Sequence, residues 1–273
     1  MNKFKYFLVK NKTIIMIGAI LLICAIAIAF GIYAQITSRS EIKAKEEKEN
    51  KDYAELENNF DEIFTNNINK EDDAKNDLNY DEIIYCAYDI DNEEAYYNIN
   101  AKIPLFKIKN EVTKEINEEI YDTFAKTIID IVQNSNAHTT FNLDYVAYVN
   151  NNILSLAIRC TYKNGSNPQR KIIKTYNYDV ENNKLVDINQ ILEYKNLNKE
   201  EMQAKITEKI KKENEEIEVF AQQGYNVFVR NESDNMYKIE NTPNFFIGKD
   251  NRLYLVYAYG NNNYTSEIDL LIF

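Results

Sequence analysis

Polar and apolar positions are distributed very unevenly along this chain. Residues 14–34 form an apolar run without a single charge. At about 1.5 Å per residue it is long enough to cross the roughly 30 Å hydrocarbon core of a bilayer as a helix. Lys3, Lys5, Lys10 and Lys12 precede it, whereas Arg39 and Lys43 follow it among acids. The lysine excess predicts a cytoplasmic N-terminus, with everything after the run outside. A cleaved secretory signal has an apolar core of only about 7–15 residues, so the run is read as a retained anchor. Cys24 does not suit a lipoprotein anchor, because Ile23 precedes it and the apolar run continues beyond it.

Residues 37–79 are dense in charge and lack glycine and proline. Leu56, Phe60, Ile63 and Phe64 recur at helical spacing, which predicts a helical stalk passing into a polar linker. From residue 80 the pattern changes to short apolar segments. Residues 83–90 and 95–103 read as a hairpin turning at Asp91-Asn92-Glu93-Glu94 and ending at Pro104. Over residues 110–134, Val112, Ile116, Ile120, Phe124, Ile128 and Ile131 or Val132 fall on one helical face, with Asn110 placed to cap it. Runs at 141–149, 153–162, 170–180 and 185–188 read as strands, and a second amphipathic helix follows over 199–220 with Met202, Ile206, Ile210 and Ile217 as its stripe. The end is strand again, at 244–247, 253–259 and 266–273. Asparagine supplies most of the turns, which suits its tolerance of left-handed backbone. Two one-striped helices among hairpin-linked strands predict an α+β fold, an antiparallel sheet with both helices packed on it. The expected organisation is a cytoplasmic tail over 1–12, a transmembrane helix over 13–36, a charged stalk over 37–79 and an exported domain over 80–273.

Charge narrows the partners. The formal net charge is −11, and the four lysines of the first 36 residues meet no acid there, so the remainder carries −15. Nucleic acid is thereby disfavoured, since phosphate binding needs an uncompensated basic field, while cationic partners are favoured in encounter. One histidine, His138, excludes sites built from several imidazoles. Asp89, Asp91, Glu93 and Glu94 lack the glycine and the distant glutamate of an EF-hand loop and read as a solvated turn. Cys86 and Cys160 lie in strand-like segments, and the sequence leaves their pairing open. No cofactor or metal is expected. Glu267 and Asp269 would share a strand face, but no recognisable catalytic motif surrounds them, so the chain is not expected to be an enzyme. The candidate partner-binding residues are Tyr257, Tyr259, Asn261, Asn262 and Tyr264, rigid aromatics beside amides at the last hairpin tip. Tyr257 and Tyr259 also alternate with Val256 and Ala258, a pattern that equally suits core positions.

Ile103-Pro104 leading into a helix with Ile116-Asn117, then Leu154-Ser155-Leu156, Tyr176-Asn177-Tyr178-Asp179-Val180 and Leu185-Val186-Asp187-Ile188, resembles the exported domain of RsiV-type anti-sigma-V factors, a domain also found beside peptidoglycan deacetylases. Phe245-Phe246-Ile247 and residues 253–259 resemble that family's final hairpin. The resemblance implies an exported recognition module of the kind that binds lysozyme, itself typically cationic. It brings no catalytic residue with it. Residues 1–12 are too short for the sigma-binding segment of that family, so a direct anti-sigma role is not expected. The reading is therefore a membrane-anchored extracytoplasmic binding or sensing module at the bacterial cell envelope. The alternatives are an envelope assembly factor and, less favoured, a peptidoglycan-modifying enzyme.

Overall fold

A computed structural model describes residues 60–65, 80–225, 227–261 and 264–273. The apolar run at 14–34 and most of the segment read as a stalk lie outside the described residues. Among the described residues, no helix is long and apolar enough to cross a membrane.

The order is α1 (Glu62–Thr65), α2 (Tyr80–Ile83), β1 (Ile84–Glu94), β2 (Tyr97–Phe106), α3 (Glu111–Ile120), a π-helical turn (Tyr121–Ala125) and α4 (Lys126–Asn134). Then come β3 (Thr139–Asn150), β4 (Ile153–Asn164), β5 (Arg170–Asp179), β6 (Lys184–Leu185), α5 (Ile188–Lys195) and α6 (Lys199–Gln222). Two short 3-10 turns lead to β7 (Asn244–Ile247), β8 (Leu253–Asn261) and β9 (Tyr264–Ile272).

The α+β class holds, but the strands form two sheets. One has the order β1-β2-β3-β4-β5-β6 and the other β7-β8-β9. The first is mixed, because β2 and β3 pair in parallel, Tyr97 with Thr139 through Ala101 with Leu143. Parallel neighbours need a crossover, and α3 to α4 provides it. Asn110 starts that helix by accepting the Thr113 amide at 2.9 Å.

Period-two alternation assigns each side chain to a layer. Leu154, Leu156 and Ile158 of β4 meet Ile116, Ile120, Phe124 and Ile128 of the crossover helix. Tyr148 of β3, Ala157 of β4 and Ile173 of β5 point the other way, onto Phe246, Tyr254, Val256 and Leu270 of the second sheet. The opposite face of that sheet, with Ile247, Leu253, Leu255 and Leu271, is covered by Met202, Ile206 and Ile210 of α6 and by α5. The result is four layers, helix–sheet–sheet–helix, each helix covering the outer face of its own sheet. Residues 153–158 are apolar on both faces apart from Ser155, because β4 is buried on both sides.

The sheets are joined by polar side chains as well. Ser155 Oγ accepts the Ile247 amide at 3.0 Å and donates to Asn177 Oδ1 at 2.6 Å, and Asn177 Nδ2 donates to the Phe245 carbonyl at 2.8 Å. Thr175 Oγ1 accepts the Phe245 amide at 3.0 Å. The free edge of β7 is thus satisfied by side chains of β4 and β5, as buried backbone groups require.

Several local expectations change. The first hairpin turns at Ala95-Tyr96, since Glu94 pairs with Tyr97, so the acids at 89–94 lie along β1. Pro104 sits inside β2 opposite a register shift between Cys86 and Tyr88, which accommodates its missing amide hydrogen. Cys86 and Cys160 are free. They lie on β1 and β4 with two strands between them, far beyond disulfide reach at about 4.8 Å per strand. Helix α1, within the segment read as a stalk, docks on the domain: Phe60 and Ile63 are buried in the inter-sheet core, and Asp61 pairs with Arg159 at 2.9 Å and Lys171 at 3.1 Å.

Candidate functional site

The last hairpin reaches beyond the shared core at its Tyr259–Tyr264 end. Gly260 sits at a register shift between Tyr259 and Asn261 with φ of 148°, a backbone that L side chains rarely adopt. It lets the strands close on Arg170 and Ser266. The Ser266 amide donates to the Gln169 carbonyl at 2.8 Å and fixes β9 against the β4–β5 loop.

Beside this junction lies an open cleft of about 520 Å³. One wall comes from Lys163 at the end of β4 and from Ser166, Asn167, Pro168 and Gln169 of the loop. The other comes from Tyr264, Thr265 and Glu267 of β9, with Phe228 from the segment after α6. The Phe228 and Tyr264 rings meet edge to face, with centroids 5.8 Å apart and planes at 76°. Tyr259 backs Phe228 at 5.2 Å.

Beneath this wall is a buried ionic network. Arg230, only 5% exposed, donates from Nε to Asp269 Oδ2 at 2.8 Å and from Nη2 to Asp269 Oδ1 at 2.7 Å. Nη2 also reaches Glu267 at 3.2 Å, and the guanidinium lies over the Tyr259 ring at 5.0 Å. Tyr259 donates its hydroxyl to Asp269 Oδ2 at 2.6 Å. Burial opposes the Arg230 charge, but its bonds to Asp269 outweigh burial and hold its pKa above the ordinary value. Burial, then the Asp269 carboxylate, push the Tyr259 phenol upward. Glu267 shares Arg230 with Asp269 and receives only one contact, so burial lifts its carboxyl above the usual range, Asp269 and Glu213 add to the rise, and Arg230 only partly offsets it.

The sequence candidates separate here. Tyr257 is fully buried against Tyr237, and its hydroxyl lies 3.1 Å from Thr242 Oγ1. Burial pushes its phenol up to about 12. It therefore belongs to the core and presents nothing to a partner. Tyr259 is half-buried and supports the cleft from behind, while Tyr264 lines it directly. The Asn261 backbone pairs with Tyr264; its side chain and all of Asn262 lie outside the described residues. Glu267 and Asp269 share a face as expected, but Arg230 occupies both. Arg230, Phe228 and the β4–β5 loop were not read as site residues. The one available signal was scarcity: the chain has five arginines, and a guanidinium is the cation suited to buried carboxylate pairing. His138 is exposed. Among the described residues, no group of three or more His, Cys, Asp and Glu could hold a metal ion.

No protein-family model matches this chain, and no curated protein matches it. Solved structures similar to it include two DUF3298 family proteins. One is a DUF3298 family member from Bacteroides fragilis NCTC 9343, with 11% identity and a TM-score of 0.31, covering 64% of this chain and 81% of the other. The second is a DUF3298 family protein from Pseudomonas aeruginosa PAO1, with 11% identity and a TM-score of 0.35, covering 63% of this chain and 79% of the other.

Proposed function

We propose that this chain is a single-pass membrane protein whose domain from residue 80 onward stands outside the cytoplasm at a bacterial cell envelope and binds a cationic, cell-wall-associated protein. The observation that carries the reading is the open aromatic cleft at the end of the last hairpin, where Tyr264 and Phe228 sit half-exposed on a rigid ionic base. Rigid aromatics offer contact area at low entropic cost, which is why they concentrate in recognition surfaces. The charge of −15 beyond the first 36 residues favours a cationic partner, and the RsiV-type resemblance suggests a lysozyme-like one. A binding role also suits Asp269, whose oxygens are engaged by Arg230 and Tyr259 rather than left to act as a base.

The test is capture of hen lysozyme by the full-length chain immobilised in lipid nanodiscs. Saturable binding that weakens with added salt, and weakens at least about tenfold for Tyr264→Ala, supports the reading. No binding at low salt rejects a lysozyme-like partner.

A further inference from the structure

The geometry points to a ligand of another class for the cleft: a short glycan of little net charge, stacked on Tyr264 or Phe228 and hydrogen-bonded by Asn167 and Gln169. At about 520 Å³ the cleft lies within the usual range for small-molecule sites, roughly 300–1,000 Å³. Its two rings, Phe228 and Tyr264, both line the cleft and meet edge to face at 76°, so the wall carries aromatic surface against which a sugar ring can pack. The apolar C–H face of a pyranose presents partial positive charge, which such a ring face attracts. The opposite wall offers the amides of Asn167 and Gln169, each both donor and acceptor, as ring hydroxyls and acetamido groups require.

The cleft's own lining is balanced in formal charge: it contains one ammonium, Lys163, and one carboxylate, Glu267, so a small ligand held within it needs no charge of its own. Arg230 holds Glu267 through Oε2 and leaves Oε1 without a hydrogen bond among the described residues, an acceptor already oriented before any ligand arrives. An extended peptide added as a strand fits less well. The Ser266 amide at this end of β9 is spent on the Gln169 carbonyl, so the edge that would template such a strand is closed there.

This inference stands apart from the cationic-protein reading, and its test contains no protein partner. The full-length chain in detergent micelles is titrated with a β-1,4-linked N-acetylglucosamine trimer, with binding read by calorimetry and ligand-observed saturation-transfer NMR. Saturable binding is expected, lost or weakened at least about tenfold in Tyr264→Ala and in Asn167→Ala. Asn167 lies on an exposed loop, so its variant decides the matter if Tyr264→Ala fails to fold. Absence of saturable binding up to about 10 mM trimer overturns the inference, as does binding that both folded variants retain at parental strength.

Discussion

Arg230 sets its Nε and Nη2 on the two oxygens of Asp269 at 2.8 and 2.7 Å, with both residues almost wholly buried. This fork joins the segment after α6 to the middle of β9, and Tyr259 closes it from the neighbouring strand. Removing one member of a buried ion pair strands the other charge. Arg230→Leu is therefore expected to destabilise the domain by about 3–5 kcal/mol in urea titration. Arg230→Lys, which keeps the charge but not the fork, should cost less.

The contact between the sheets depends on Ser155 and Asn177. Ser155→Ala leaves the Ile247 amide without its acceptor, and Asn177→Ala leaves the Phe245 carbonyl without its donor. Each should cost about 1–3 kcal/mol, the penalty for an orphaned buried polar group. The two residues bond each other, so their double variant should cost less than the sum of the singles in a thermodynamic cycle.

Much of this arrangement was legible residue by residue. The four non-glycine residues with positive φ among those described are Asn151, Asn183, Asn196 and Asn251, so the reading of asparagine as the turn residue identified real left-handed positions. The crossover helix was legible too, because its stripe has one face and Asn110 caps it. The two-sheet layering was not. Strands buried on both faces lose their alternation, and residues 153–158 and 253–257 carry no mark of which sheet they join. The parallel pairing of β2 with β3 is a long-range choice that local periodicity does not encode. The site was legible only in part. Tyr264 stood out as an aromatic beside amides, whereas the Arg230–Asp269 pair spans 39 positions and was hidden by that separation.

Gly260 makes the last hairpin sensitive to a single methyl group. A Cβ there would lie 2.9 Å from Ser266 Cα and 3.0 Å from Arg170 Nη1, on a backbone with φ of 148°. Gly260→Ala should lower stability by about 1–3 kcal/mol through strain and contact together. Gly224→Ala, at φ of 88° with nothing within 4 Å of its Cβ, meets strain alone and should cost less, about 1 kcal/mol. Parallel thermal melts of the two variants separate the terms.

Helix α1 is held by charge as well as by Phe60. Burial would raise the Asp61 carboxyl, but Lys171 and then Arg159 outweigh it and hold it below its ordinary value of 3.8. A depressed carboxyl contributes stability above its unfolded pKa and loses it as pH falls through the folded one. Asp61→Asn should therefore cost about 0.5–1 kcal/mol at neutral pH, a modest figure because the side chain is 45% exposed. The gap between parent and variant should close as pH falls below 3.8.

Glu267 has the opposite sign. Burial, with Asp269 and Glu213 adding to it, holds its carboxyl above the ordinary 4.5 despite the opposing Arg230 charge. Between 4.5 and the raised folded value the native state binds the proton that the unfolded chain has released, so stability falls as pH rises through that window. Glu267→Gln removes this titration while keeping an acceptor for Arg230 Nη2. Relative to the variant, the parent should thus be most stable at acid pH, lose ground from 4.5 up to the raised folded value, and level off above it. A pH series of urea titrations on both chains measures that slope. A parent whose advantage instead grew with pH would mean that Arg230 outweighs burial and the two neighbouring carboxylates. Glu267 would then face the cleft as a fully formed anion at every pH above the ordinary carboxylate range.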